Sequence, residues 1–323
     1  MNYNHCLCCL KSLDASSTQE KSQGFHKSCL KKIFGKAVLP DVELSDDILE
    51  QLAQKSSSDG ITVAGVQKKL SLHLISENTS DAQLRLTLLG YPQGYILKPQ
   101  SSEFAFLPQN EHIVMTMANI AKIHTVLHSL IPLSDNSLAY ITKRIDRDTT
   151  NPDVSNKIHM EDFCQLSERL TEDKYKGSYE QCAKIIKDFS SQPGLDLNEF
   201  FYRLVFCFIT GNSDMHLKNF SLIHKNGITL SDAYDLLSVN LAMPDDKEET
   251  ALTLNGKKSR IYKKDFLEFA RSIKIPEDSA KKMILHLISL KDDFCNTARS
   301  SLLPEQMQQF LCDLITERCQ RLS

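Results

Sequence analysis

The stretch that most constrains this chain runs from the apolar segment Leu204-Val-Phe-Cys-Phe-Ile209 through Thr210-Gly-Asn-Ser-Asp214-Met-His216-Leu-Lys218-Asn219 to Ala233-Tyr-Asp235. An apolar run that stops at a Gly-containing polar loop reads as a buried helix and its end. Two strand-like pieces, Asn219–His224 and Ile228–Ser231, joined by Lys225-Asn-Gly227, read as a hairpin, with Asp235 beyond it. The order is helix, polar loop, hairpin, carboxylate. One account is turn chemistry, in which Asn and Asp side chains cap the helix and close the loop. Four polar residues in the six from Asp214 to Asn219, directly behind a buried helix, call for a second account.

Phosphoryl transfer supplies it. In kinases an Asp accepts the proton of the attacking hydroxyl, an Asn of the same loop holds Mg²⁺, and an Asp beyond a hairpin holds Mg²⁺ on the nucleotide phosphates. Asp214, Asn219 and Asp235 match those three tasks in order. Mg²⁺ takes hard oxygen ligands and needs only one or two from protein. Lys218 adds positive charge where a transferred phosphoryl group would lie.

The 323 residues suffice for one large or two modest domains. A net charge of −3 argues against a protein that binds nucleic acid or a membrane electrostatically. No apolar run reaches the roughly 18 residues of a membrane helix, and the polar start Met1-Asn-Tyr-Asn4 does not read as a signal peptide, so a cytoplasmic protein is expected. Export into another cell is not readable either way. The 10 cysteines are then free thiols or metal ligands rather than disulfides.

Residues 1–35 form a cysteine-rich unit. Cys6-x-x-Cys9 and His26-x-x-Cys29 supply four donors of the kind that small tetrahedral Zn²⁺ sites use. Cys8 and His5 leave the ligand set ambiguous, and a metal-free hairpin is the competing reading. A short helix is expected over Asp46–Gln54, followed by a Ser-rich loop to Gly60. Gly65 before a strand at Leu70–Leu74 allows a sharp turn with exposed amides, and with Val66, Gln67, Lys68 and Lys69 that turn can cradle phosphates. Most such turns are only solvated hairpins.

The strand Gly94–Pro99 carries one charge, Lys98, which is either a snorkelling surface residue or the strand lysine that meets nucleotide phosphates. Apolar spacing predicts an amphipathic helix from Pro108 to Leu130, with Glu111 in its first turn as a partner for Lys98 or a helix-start carboxylate. Ser137–Ile141 reads as a strand running into the connector Lys143-Arg-Ile145-Asp-Arg147. Residues 159–211 read as helical, with breaks near Tyr175–Ser178 and Ser191–Gly194. Helices over Tyr262–Ile273 and Glu277–Leu290 are clearest further on, after an acidic loop at Ala242–Glu249. Strands first and helices later predict an α+β body of two lobes, with an N-lobe over 36–145 and a helical C-lobe over 146–323.

As a set, Val63-Ala-Gly65-Val-Gln67-Lys68-Lys69-Leu, Ile96-Leu-Lys98-Pro99, Arg144-Ile-Asp146-Arg147, Gly211-Asn-Ser-Asp214-Met-His216-Leu-Lys218-Asn219 and Tyr234-Asp235-Leu-Leu-Ser238 resemble the HipA family of bacterial serine/threonine kinase toxins. They stand in the family's order across about residues 60–240. The resemblance implies a protein-kinase-like fold using ATP and Mg²⁺, with Asp214 as base, Asn219 and Asp235 on the metal and Lys98 on the phosphates. It further implies that His216 supports the catalytic loop and that the backbone near Lys143 and Ile145 meets adenine.

The family's characterised substrates are aminoacyl-tRNA synthetases, phosphorylated on serine, which stops translation. A HipB-like helix-turn-helix antitoxin neutralises the toxin. Because the phosphate loop lies by residue 65, the chain looks most like the short HipT type, whose missing subdomain is a separate HipS-like antitoxin. It departs from the family at the inactivating autophosphorylation positions, where Thr62 and Ala64 stand in place of serines. Thr62, Ser57 and Ser58 are the nearby hydroxyls, and a phosphate on them would compete with ATP for the Gly65 amides.

Two other readings compete. One is a nucleotide-binding adaptor without catalysis, which uses residues 1–35 as a zinc-dependent module for protein binding. The other is a metal phosphohydrolase built on Asp214, His216 and Asp235, for which Lys98 and the phosphate loop would have little use.

Overall fold

A computed structural model describes residues 3–42, 69–76, 84–87, 94–148 and 156–323. The expected helix at Asp46–Gln54, the loop bearing Gly65, Val66, Gln67 and Lys68, and the hydroxyls of Ser57, Ser58 and Thr62 lie outside the described residues. The chain divides into two compact units: Met1–His112 with Val126–Lys157 and Ser300–Leu302, and Ile113–Thr125 with Ile158–Arg299 and Leu303–Ser323.

The first unit opens with two short helices, α1 (Thr18–Gln23) and α2 (Lys27–Phe34). Ser17 and Glu20 form a reciprocal capping box on α1, and Gly24 ends it with φ +75°. Six strands follow: β1 (Asp41–Val42), β2 (Leu70–Ser76), β3 (Leu84–Thr87), β4 (Tyr95–Lys98), β5 (His128–Pro132) and β6 (Leu138–Lys143). They form a sheet of order β1-β3-β2-β4-β6-β5, antiparallel except for β1 beside β3. Register places Leu70, Leu97 and Ile141 opposite one another, and Lys98 opposite Tyr140. Successive side chains of a strand point to opposite faces, so Leu97 and Lys98 serve different faces of the sheet.

The cysteine-rich segment packs into this sheet's own core. Leu7, Phe25, Leu30 and Ile33 lie in one buried cluster with Leu72, Leu97 and Ile141. A short ladder, β7 (Arg147–Asp148) with β8 (Asn156–Lys157), closes the unit.

Helix α3 (Leu107–Ile120) is shorter than apolar spacing predicts. Lys122 takes φ +62°, and Ile123 N–H donates to Ala118 O at 2.9 Å, which closes the helix end. His128–Pro132 then pairs with β6 as a strand. Val126 and Leu127 continue the helical spacing only by coincidence, since a short apolar run suits both states. Because the helix begins at Leu107, Glu111 stands in its second turn.

The second unit is mostly helical. A three-stranded sheet joins β9 (Met160–Asp162), β10 (Ser221–His224) and β11 (Ile228–Leu230) in the order β11-β10-β9. The first of these strands lies where the sequence reads as helix, because Met160–Asp162 pairs with the distant Ser221–Ile223. Around it stand α4 (Phe163–Leu166), α5 (Tyr179–Phe189), α6 (Pro193–Ile209), α7 (Val239–Ala242), α8 (Lys263–Ser272), α9 (Glu277–Ser289), α10 (Lys291–Arg299) and α11 (Glu305–Leu322). Helix α6 starts on a proline, whose missing N–H costs nothing there, and its last seven residues are all buried. Phe200 stacks edge-on against Phe220 at 4.9 Å between centroids, joining the helix to the start of the hairpin. The two units have the α+β composition that the element order implies.

Candidate active site

Helix α6 ends at Thr210, and Gly211 turns the chain with φ +70°. The positive φ favours glycine, and a Cβ at Gly211 would stand 2.5 Å from Leu314 Cδ2 and push the end of that side chain aside. The Gly211 carbonyl accepts from Val239 N–H at 2.8 Å and from Asn240 N–H at 3.2 Å. The loop is thus fixed at its root.

Beyond that root, Asp214 is 8 % exposed and Asn219 5 %. Asp214's carbonyl accepts from His216 N–H at 2.8 Å and from Asn219 Nδ2 at 2.9 Å. With its amide nitrogen committed, Asn219 offers its oxygen, the donor type that suits Mg²⁺. Asp214 N–H donates to Asn212 Oδ1 at 3.2 Å, and the Tyr175 hydroxyl donates to Asp214 Oδ1 at 2.6 Å. His216 is buried with its ring edge-on to Tyr175, 5.0 Å between centroids. Its carbonyl accepts from Asn219 N–H at 3.0 Å, so His216 braces both sides of the loop.

Lys218 forms an ion pair of 2.7 Å with Asp162 at the end of β9, with a third of its side chain exposed. Its carbonyl accepts from the Tyr234 hydroxyl at 3.1 Å, and Tyr234 also lies 2.5 Å from Ser221 Oγ. Burial pushes the Tyr234 phenol well above its ordinary range, so it stays a donor at any working pH. The residue after it is Asp235, which takes φ +56°, a conformation that side chains other than Asn and Asp rarely adopt. Ala233 N–H donates to His124 O at 2.7 Å just before it. Tyr234 therefore ties the position of Asp235 to the Lys218–Asn219 loop.

In the first unit, Lys98 Nζ lies 2.6 Å from Glu111 Oε1, and both side chains are 3 % exposed or less. The lysine also sits over the Tyr140 ring, 5.3 Å from its centroid. Lys98 is thus a buried paired cation rather than a snorkelling surface residue. Lys143 closes β6 with its N–H on Leu127 O at 2.8 Å. Ile145 follows in a connector held by Arg144 Nη2 on Asp146 Oδ2 at 2.7 Å and Arg147 Nη1 on the same oxygen. Burial pushes Asp146 up, and the two guanidiniums overcome it, leaving the carboxyl below its ordinary value.

The four donors Cys6, Cys9, His26 and Cys29 are brought together, their ligand atoms all within 4.8 Å of one another. Cys9 Sγ and His26 Nδ1 are 3.4 Å apart. Tetrahedral Zn²⁺ separates its sulfur and nitrogen ligands by roughly 3.5–3.8 Å, so the set has the right chemistry and size. Cys8 and His5 do not belong to the gathered group.

The structure thus gathers Asp214, His216, Lys218 and Asn219 in one loop of the second unit with Asp235 tied to it, and Lys98 with Glu111 in the first. Sequence reading missed Tyr175, Asn212, Asp162 and Tyr234. Tyr175 stands out in sequence only as a helix boundary, since its partner lies 39 residues away. A further donor group, His159 just before β9, Glu161 on β9 and His224 at the end of β10, was also not apparent, because the three meet only through strand pairing.

The family model described as HipA-like C-terminal domain matches residues 61–293, and the chain belongs to that family. Among curated proteins it is 30 % identical over 237 residues to "Putative kinase Y4mE" of Sinorhizobium fredii, covering 71 % of this chain and 54 % of that one. It is 28 % identical over 279 residues to a "Putative kinase" of Haemophilus influenzae, covering 76 % and 77 %. The chain spans about half the length of its Sinorhizobium relatives, 54 % of one and 44 % of the other.

Among solved structures, the "Toxin Antitoxin System HipA, HipB and its operator DNA complex" of Shewanella oneidensis matches with a TM-score of 0.69 at 19 % identity. The match covers 84 % of this chain and 70 % of that one. The Helicobacter pylori "proinflammatory kinase CtkA" matches with a TM-score of 0.53 at 16 % identity, covering 72 % and 86 %. These likenesses establish the fold.

Proposed function

We propose that this chain is a protein serine/threonine kinase of the HipA/HipT kind that uses ATP and Mg²⁺. The observation that carries the reading is the buried Lys98–Glu111 pair at 2.6 Å. Protein kinases need such a pair in place to hold the nucleotide phosphates, and hydrolases or turn-forming loops have no use for it. Asn219 and Asp235 would hold Mg²⁺, which would supply neutralisation of charge on the transferring phosphoryl group.

Asp214 accepts the proton of the protein hydroxyl, positioned by Tyr175 and by the His216-braced loop. Lys98 holds the phosphates, Gly65, Val66, Gln67 and Lys68 are read as further nucleotide-binding residues, and the backbone near Lys143 and Ile145 is assigned to adenine. Lys218, paired with Asp162, adds positive charge at the edge of the catalytic loop. Cys6, Cys9, His26 and Cys29 are read as a structural zinc site.

The substrate class is a protein hydroxyl, with an aminoacyl-tRNA synthetase as the family's target and loss of translation as the result. The work is assigned to the reducing cytoplasm of the producing or a recipient cell. HipS-like and HipB-like proteins are the expected antitoxins, and self-modification at Thr62, Ser57 or Ser58 the expected brake. The non-catalytic adaptor reading is disfavoured, because residues 1–35 share the core of the Lys98 sheet instead of standing apart from it.

The test is incubation of the purified chain and its Asp214→Ala variant with γ-labelled ATP, Mg²⁺ and bacterial lysate, read by gel and mass spectrometry. A labelled protein that requires Asp214 is expected. Binding of ATP without any Asp214-dependent label would overturn the kinase reading and restore the adaptor.

A further inference from the structure

The cysteine and histidine cluster is attached to the rest of the first unit through residues adjoining its own ligands. Leu7, between Cys6 and Cys9, accepts at its carbonyl from Leu130 N–H at 3.0 Å and Ser129 Oγ at 3.1 Å. Both belong to β5, the edge strand of the six-stranded sheet. That contact covers an edge that would otherwise present open backbone groups. Ile33, one helical turn after Cys29, accepts at its carbonyl from the Tyr95 hydroxyl at 2.8 Å. Tyr95 opens β4, and the Phe34 ring packs on it with centroids 5.8 Å apart.

The same strand ends in Lys98. Leu97 is fully buried in the cluster shared with Leu7 and Phe25, while Lys98 points to the other face and meets Glu111. One strand thus carries the cysteine segment on its back and the phosphate lysine on its front.

The segment's internal means of holding this shape are slight. Its helices are six and eight residues long, below the length at which isolated helices persist. His26 is the residue from which α2 starts, and Cys6 N–H pairs with Lys11 O at 2.9 Å across the Cys-x-x-Cys turn. Leu7 N–H donates to Gly24 O at 2.8 Å, which brings that turn beside the start of α2, and four donors within 4.8 Å supply the place for a cross-link between them. In folds this small, metal binding and folding are a single equilibrium.

We propose that zinc held by Cys6, Cys9, His26 and Cys29 latches β4 and β5 in place, so that zinc occupancy sets nucleotide affinity although no zinc ligand touches the nucleotide. The proposal rests on reading the cluster as a zinc site and Lys98 as a phosphate ligand. It makes the cysteine segment an internal part of the nucleotide-binding unit rather than a module for partners.

The test uses the full chain. Zinc is first counted by elemental analysis, with one ion per chain expected, and none in Cys9→Ser or Cys29→Ser. Zinc is then stripped by a chelator under reducing conditions and restored, with ATP affinity and amide hydrogen exchange followed throughout. Stripping is expected to weaken ATP binding at least tenfold and to expose the amides of Tyr95–Lys98 and His128–Pro132, while those of Pro193–Ile209 stay protected. Restored zinc reverses both changes, and His26→Cys keeps both zinc and affinity.

A chain that never carries zinc would overturn the metal reading. Zinc that can be removed with no change in exchange at Tyr95–Lys98, or with equal loss of protection everywhere, would overturn the latch. Failure of the zinc-loaded chain to bind ATP at all would instead overturn the nucleotide reading of Lys98.

Discussion

The Tyr175 hydroxyl donates to Asp214 Oδ1 at 2.6 Å across 39 residues of chain. A hydrogen bond to one carboxylate oxygen fixes which way the carboxylate faces and leaves the other oxygen for a substrate proton. Tyr175→Phe keeps the ring against His216 and removes only this bond. We expect kcat to fall by roughly tenfold with KM for ATP unchanged, because a positioned base acts in the transition state. Asp214→Asn should cost at least a hundredfold, and a Tyr175→Phe variant with wild-type kcat and pH profile would remove Tyr175 from the mechanism.

The Lys98–Glu111 pair is buried on both sides, so removing either half leaves the other charge uncompensated. Glu111→Ala strips a buried ammonium of its carboxylate and Lys98→Met strands a buried carboxylate, and each should cost on the order of 3–5 kcal/mol. The double change Lys98→Met, Glu111→Leu removes both charges and should leave stability closer to wild type. All three should abolish phosphoryl transfer. Thermal melting beside ATP binding separates them, with both single variants expected to melt below the double.

Gly211→Ala places a Cβ 2.5 Å from Leu314 Cδ2 at a residue with φ +70°. Strain of this kind costs roughly 1–3 kcal/mol before the clash is counted. The variant should show a lower urea midpoint, and its activity should fall even where it is fully folded, since the loop root sets where Asp214 stands.

His112 and His128 are buried with their Nδ1 atoms 3.0 Å apart. Burial pulls His112 down to about 4, against a smaller opposing effect of Cys6, and pulls His128 well below its ordinary value, helped by the charges of His112 and Lys32. The unfolded chain, with ordinary histidines near 6.5, therefore takes up protons first as pH falls. Stability is fully present above about pH 6.5 and declines from there toward pH 4. The His112 shift corresponds to about 3 kcal/mol over that window. Urea midpoints at pH 7 and pH 5 should differ accordingly, and the double change His112→Gln, His128→Gln should flatten the difference.

Much of the candidate site is written in short-range pattern. Asp214, Asn219 and Asp235 are recognisable because their order and spacing around a helix and a hairpin are local properties, set by turns and strand pairing within about thirty residues. The Cys-x-x-Cys and His-x-x-Cys pairs are legible for the same reason, as are the ends of α5, α8 and α9 within a residue or two. Helix α3 shows where this fails. Its apolar spacing runs on through Val126 and Leu127, yet Lys122 ends it, because His128–Pro132 gains more by pairing with Leu138–Thr142 than by adding helical turns.

What lay beyond reach of local pattern was every choice made by burial between distant segments. Nothing in the spacing of Lys98 and Glu111 distinguishes a snorkelling lysine from a buried ion pair, and Tyr175 and Tyr234 look like ordinary core or boundary tyrosines until their hydroxyls find Asp214 and Lys218. Cys6, Cys9, His26 and Cys29, rather than Cys8 or His5, are the donors whose ligand atoms meet within 4.8 Å, and only the folded turn beside the start of α2 decides that. Residue type and short-range spacing state which chemistry a chain is equipped for. Which of those groups meet is settled by desolvation, which forces each buried polar atom to find a partner wherever in the chain one can be brought to it.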